Sequence, residues 1–189
     1  MQKSHIFRRM LHITAPIYLM LVYYLLPNDL WIGFPKQYGI LIVLSLVLLI
    51  EAIRIKTNRV FFGLREYERW QISAFAWAAI GIALSFLFFP KKFVVPSIIG
   101  MAFIDPMIGE IRIHKKELYP FVPALCYALI LLVCLILWST YSAMSILLFT
   151  VVGTIVAISS EYPKCKYIDD DFLMLMTPLV VLTFLDFFI

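Results

Sequence analysis

Seven apolar runs, each near the length needed to cross a bilayer, follow one another along this chain. They cover roughly residues 10–26, 37–55, 70–89, 94–110, 119–139, 142–159 and 172–189. About twenty residues at ~1.5 Å rise cross the hydrocarbon core as a helix. Inside lipid a spanning segment must satisfy its own backbone groups, which a helix does alone. Seven such runs in 189 residues leave little room for a soluble appendage. The expected fold is therefore all-α: a single integral membrane domain over 1–189, a polytopic helix bundle of about seven transmembrane helices. Composition agrees, with 63% hydrophobic and 15% charged residues against roughly half and a quarter in soluble domains.

Turn-forming residues separate the runs: Pro27-Asn28-Asp29 with Gly33-Phe34-Pro35, then Pro90-Lys91-Lys92, then Ser139-Thr140-Tyr141-Ser142. The first and fourth runs are the weakest. His12 lies near the start of the first. The fourth contains Gly100 and reaches Asp105-Pro106. Proline removes a backbone donor and disfavours helix at the residue before it, so a helix break is predicted there. The basic start of the chain could imitate a signal peptide, but no small-residue cleavage site follows its apolar stretch, and a retained first helix is expected.

Charge gives the orientation. With the N-terminus placed in the cytoplasm, all of the 16 Lys and Arg fall on the cytoplasmic side except Lys36, Lys91 and Lys92. The acids follow, with only Asp29 and Asp186 on the opposite side. Attraction to anionic lipid would explain a basic face. Basic and acidic groups interleaved on one face point instead to a polar site.

Four groups on that face could carry chemistry. Asp105 stands in an apolar run, where a carboxylate is costly and marks a functional site by default; capping a short interfacial helix is the plainer alternative. Asp169, Asp170 and Asp171 are consecutive. They suit the N-terminus of a seventh helix, or a hard cation such as Mg²⁺, which takes carboxylate, phosphate and water oxygens. Arg112, Lys115 and Lys116 could snorkel to the interface or neutralise phosphate oxygens. Glu51 and Arg54 share a helix face at i, i+3 spacing, and a structural pair is as plausible as a functional one. The same two readings apply to Arg8-Arg9-Met10-Leu11-His12 and to Arg65-Glu66-Tyr67-Glu68-Arg69.

The chain has no glycine-rich phosphate loop, no G-x-S-x-G and no H-E-x-x-H. Phosphate binding would have to rest on metal and on Lys or Arg. Cys126, Cys134 and Cys165 form no C-x-x-C pair and are expected to pack as small hydrophobes.

The order of these motifs resembles the CTP-dependent lipid kinases, which include dolichol kinase, phytol kinase and the CTP-using diacylglycerol kinase. The phosphatidate cytidylyltransferases share part of the pattern. The resemblance runs from Arg8 to Pro178. Arg9 and His12 match the family's N-terminal R-K-x-x-H, and Glu51 and Arg54 its E-x-x-R. Asp105-Pro106 matches Gly-Asp-Pro, with Ile104 in place of the Gly. Lys115-Lys116 matches the Lys pair. Glu161-Tyr162-Pro163 and Asp169-Asp170-Asp171 match Glu-x-x-Pro and Asp-Asp-Asn, with Asp171 in place of the Asn.

What the resemblance implies is Mg²⁺-dependent phosphoryl transfer from CTP to a membrane lipid alcohol, either a polyprenol, a phytol-like alcohol or diacylglycerol. Asp105 with Asp169 or Asp170 would hold metal. Arg112, Lys115 and Lys116 would bind the nucleotide. Glu161 or Asp170 would accept the alcohol proton, with Arg9, His12, Glu51 and Arg54 in support. No nucleic-acid partner is expected. One alternative is a cytidylyltransferase making a CDP-lipid, with Arg54, Lys56, Arg59, Arg65 and Arg69 of the second loop at the acceptor. Another is a non-catalytic transporter or lipid-binding paralogue. The crowding of ionisable groups on one side, rather than mid-bilayer, argues against transport.

Overall fold

A computed structural model describes residues 3–29, 33–61, 63–162 and 168–189, with backbone alone at 3–6 and 67. Pro163, Lys164, Cys165 and Lys166 lie outside the described residues. The described residues form seven α-helices: α1 Lys3–Leu25, α2 Lys36–Lys56, α3 Ala74–Phe88, α4 Lys91–His114, α5 Phe121–Trp138, α6 Ala143–Ser160 and α7 Asp170–Asp186. Two 3₁₀ turns, Glu66–Trp70 and Lys116–Leu118, stand before α3 and α5. No strand occurs among the described residues. Four helices, α2, α4, α5 and α6, are long and apolar enough to cross a membrane, which makes this a multi-pass membrane protein. At 15 residues, α3 rises only about 22 Å.

The helix starts follow local chemistry. Pro35, Pro90 and Pro120 stand immediately before α2, α4 and α5, where a missing N–H costs nothing. Ser73 and Ser142 cap α3 and α6, their hydroxyls accepting from the backbone N–H of Ala76 and Ser145.

α4 is the central helix, packed by α1, α3, α5 and α7. α6 closes the bundle against α5 and α7, and α2 lies outermost, against α3. Phe93, Ile98 and Met101 of α4 meet Leu131, Phe149 and Leu179 in a core with no solvent exposure. A Cβ on Gly100 would stand 2.3 Å from the Tyr127 ring, so only glycine lets α4 and α5 approach this closely. On α2, Ile42, Val43, Leu46, Leu49 and Ile53 are exposed, as a lipid-facing surface requires.

One sequence expectation is overturned. The predicted break at Asp105-Pro106 does not occur, and α4 runs unbroken from Lys91 to His114 through both Pro96 and Pro106. Proline inside a helix costs about 3 kcal/mol. Packing of α4 on four neighbours outweighs that local preference. Asp105 therefore projects from an intact helix.

At the bundle end opposite Asp105, the lysines are all engaged. Lys92 Nζ lies 2.6 Å from Asp186 Oδ2, and Tyr141 bonds both partners. Lys36 and Lys91 sit over the rings of Tyr23 and Tyr24.

Candidate functional site

The Asp105 end carries two polar assemblies. The first is built on Glu51 and Arg54 at the end of α2. Arg54 is 1% exposed. Its Nε and Nη2 donate to the two Glu51 oxygens at 2.9 and 2.8 Å. Nη1 donates to the carbonyls of Glu68 (2.9 Å) and Arg59 (3.5 Å), and Nη2 also to that of Gln71 (2.7 Å). An arginine has five N–H donors, and each finds an acceptor. Glu51 Oε1 also accepts from Ser73 N–H at 2.6 Å. Glu68, itself buried, accepts from the N–H groups of Arg65 and Ala74 at 2.6 and 3.2 Å. The two acids and Arg54 thereby fold the α2–α3 connection over the end of the bundle.

The second assembly surrounds a cavity of about 430 Å³. Asp105 from α4, Asp170 and Asp171 from the start of α7, Glu161 at the end of α6, and Arg8, Arg9 and His12 from α1 line it. Gly109, one turn after Asp105, adds open space, since a Cβ there would meet nothing within 4 Å. His12 ties three helices together: Nδ1 lies 3.3 Å from Asp171 Oδ2, and Nε2 lies 3.6 Å from Asp105 Oδ2 and 3.4 Å from the Met101 carbonyl.

Glu161 is held by Arg112, whose Nη1 and Nη2 donate to Oε1 and Oε2 at 2.6 and 2.5 Å. Arg112 also stacks on the Tyr119 ring, 4.3 Å from its centroid, and donates to its hydroxyl. Burial pushes the Glu161 carboxyl up, and Arg112 pulls it back. Burial also raises the Asp169 carboxyl, as does the charge of Asp170, while Arg8 and Arg65 lower it.

Three sets of acidic or His side chains each offer one atom within 4.8 Å of the others: His12, Asp105 and Asp171; Asp105, Glu161 and Asp170; and Asp169, Asp170 and Asp171. Opposite oxygens around an octahedral Mg²⁺ stand ~4.2 Å apart. The spacing therefore fits a hard divalent cation after small side-chain shifts. The donor chemistry fits as well: Asp171 Oδ1 and Asp169 Oδ2 are buried without a hydrogen-bond partner. Buried carboxylate oxygens left unpaired are costly, and a cation would remove that cost.

The structure sorts the sequence-derived residues. Asp105, Asp170, Glu161, Arg112, Arg9 and His12 all line the cavity. Glu51 and Arg54 do not; they form the clasp beside it. Lys115 and Lys116 are exposed where α4 gives way to the 3₁₀ turn and do not line the cavity, because the chain has already left the helix face that carries Asp105. Arg112, three residues earlier, stays on that face. Asp169 is the residue before α7 and makes no side-chain cap. Asp171 rather than Asp169 reaches His12 and Asp105. Helical phase hides this in the sequence, since three adjacent residues point about 100° apart. Arg8 and Arg65 also line the cavity; their membership of basic motifs was their only sequence signal.

No protein-family model matches the chain significantly. No characterised protein does so, and no solved structure does so.

Proposed function

We propose that this protein is a membrane enzyme that transfers the γ-phosphoryl group of CTP to the hydroxyl of a membrane lipid alcohol, with Mg²⁺. The observation that carries the reading is the convergence of Asp105, Asp170, Asp171 and Glu161, from three helix ends or faces, on one cavity with arginines at its rim. Carboxylates with perturbed environments gathered with basic groups in a cleft mark a candidate functional site. The motif order shared with the CTP-dependent lipid kinases supports the nucleotide and the acceptor. The distribution of Lys and Arg supports seven membrane-spanning helices with this end in the cytoplasm, where nucleotide is available.

On this reading Asp105, Asp170 and Asp171 hold the metal, which when bound neutralises charge on the phosphates. Arg8 and Arg9, at the rim, and Arg112 meet phosphate oxygens. The lipid hydroxyl attacks the γ-phosphorus, the bond to the β–γ bridging oxygen breaks, and CDP leaves. Both Glu161 oxygens are taken by Arg112. Of the two candidate bases this leaves Asp170 to accept the hydroxyl proton. Positioning and charge neutralisation supply most of such catalysis, so a sparse set of side chains suffices.

A second reading, CDP-lipid synthesis, draws on Arg65, which comes from the second basic loop and lines the same cavity. One experiment separates the two. Purified protein in lipid bilayers is given Mg²⁺ with γ- or α-labelled CTP and either lipid alcohols or phosphatidate. Label entering lipid from the γ position, abolished by Asp105→Asn, is the expected result. Label from the α position would establish the second reading. No transfer with either acceptor would overturn both.

A further inference from the structure

Glu68 belongs to both polar assemblies. In the clasp, its carbonyl accepts from Arg54 Nη1 at 2.9 Å. Its side chain is buried, with the residue only 1% exposed. Oε2 accepts from the Arg65 N–H at 2.6 Å and Oε1 from the Ala74 N–H at 3.2 Å. Arg8 Nη1 lies 3.8 Å from Oε1, close enough for charge attraction and too far for a hydrogen bond. Arg8 itself lines the Asp105 cavity, where Glu68 does not.

The cavity's arginines are not equally available to a ligand. Arg112 gives Nη1 and Nη2 to Glu161, and Arg9 is paired with Glu110. Arg8 Nη1 is buried and has no hydrogen-bond partner. A buried donor left unpaired is costly, the more so on a charged group. Glu68 supplies the charge that holds the Arg8 guanidinium in place. It does not supply the missing bond, because backbone N–H groups already occupy both of its oxygens. An arginine held by charge with a donor left over suits an anion with oxygen acceptors, and phosphate is such an anion.

We propose that Glu68 is a positioning residue, which holds Arg8 so that its Nη1 donates to a phosphate oxygen of the nucleotide. This deepens the phosphotransfer reading and rests on it for the identity of the anion. Glu68 touches no substrate and acts through Arg8 alone. The sign of its effect is diagnostic. As a bare negative charge near the site, Glu68 would repel phosphate, and its removal would tighten binding. As the residue that positions Arg8, its removal weakens binding.

The test titrates the full chain in detergent with tripolyphosphate and Mg²⁺ by calorimetry, below the unfolding midpoint of each variant. Glu68→Gln and Arg8→Gln should each weaken binding ~10-fold or more, the scale of one hydrogen bond to a charged group. The double variant should bind no more weakly than either single one, because both lose the same contact. A Glu68→Gln protein with a lowered midpoint and unchanged affinity would reduce Glu68 to a structural role. Tighter binding by Glu68→Gln, additive losses, or no binding by the wild type would also overturn the inference. Gln offers one acceptor oxygen to two backbone N–H groups, so a second measurement stands beside the variant. In a structure of the wild-type chain with tripolyphosphate, a phosphate oxygen should lie ~3 Å from Arg8 Nη1, with both backbone bonds to Glu68 retained. Tripolyphosphate seated away from Arg8 would overturn the inference. Label transfer from γ-labelled CTP with its KM unchanged in Arg8→Gln would remove this inference and leave the phosphotransfer reading standing. Coupled loss of tripolyphosphate binding, with no label transfer to any lipid, would do the reverse.

Discussion

The Glu51–Arg54 clasp and the Asp105 cavity stand at the same end of the bundle and draw on the same residue types, yet they are finished differently. In the clasp, every Arg54 donor has an acceptor, and the Glu51 and Glu68 oxygens are met by Arg54 or by backbone N–H groups. In the cavity, four carboxylates face four arginines and a histidine around open space, and the buried Asp171 Oδ1 and Arg8 Nη1 have no hydrogen-bond partner. A closed polar network fixes a fold. An open one, gathered around space, is unfavourable until something binds. The difference separates a structural motif from a candidate site where the residue types alone cannot.

Substitutions should expose that difference as opposite responses of stability and activity. The largest effect is expected from Arg54→Ala, which strands Glu51 in a buried position. Breaking such a pair costs about 3–5 kcal/mol, and thermal unfolding in detergent should show a large drop in midpoint. The paired replacement of Glu51 and Arg54 by Leu should recover part of it. An Arg54→Ala protein as stable as the wild type would end the structural account of the clasp.

Asp105→Asn should behave in the contrary manner. Transfer should fall about 10²–10³-fold, as when one preorganised electrostatic contact is lost. The unfolding midpoint should hold or rise, because an amide of the same size replaces a carboxyl crowded by the acids around it. A fall in midpoint with activity retained would place Asp105 among structural residues.

Arg112→Lys comes next. It keeps the charge but loses the two-point grip on Glu161 and the stacking on Tyr119. Loss of a hydrogen bond to a charged group costs about 1.5 kcal/mol or more. Chemical denaturation should therefore register a loss smaller than that of Arg54→Ala.

Gly109→Ala should be the mildest change within the cavity. Alanine favours a helix over glycine by about 1 kcal/mol, and its Cβ meets open space. A gain in midpoint with a modest rise in the nucleotide KM is expected. Lys115→Ala and Lys116→Ala should stay within about 0.5 kcal/mol of the wild type, with the nucleotide KM unchanged. A clear rise in KM would bring these exposed lysines back to the nucleotide.

Much of the architecture was legible in the chain. The apolar runs anticipated seven helices, because lipid solvent demands long uninterrupted hydrophobicity and helix-forming backbone. The turn residues between them, with Pro35, Pro90 and Ser142 among them, marked the connections. Asp105-Pro106 misled, since the local cost of proline was read without the four helices that hold α4 together. The site was legible in part. Asp105, Asp170, Arg112 and His12 stood out as charges beside apolar runs, and Glu161 entered through the motif resemblance. The exclusion of Lys115 and Lys116 did not, because it depends on where α4 ends. Nor did the choice of Asp171 over Asp169, which depends on the rotation of α7 against α1 and α4.

The sequence by itself determined that this is a helical membrane protein with most of its ionisable groups collected at one end, because hydrophobicity and charge act on each segment independently of the others. Only the tertiary structure decided which of those groups neutralise one another and which are left facing a cavity. Glu51 and Arg54 are three residues apart and would pair in any helix. His12, Asp105, Glu161 and Asp171 come from four separate helices or helix ends, and packing alone brings them within reach.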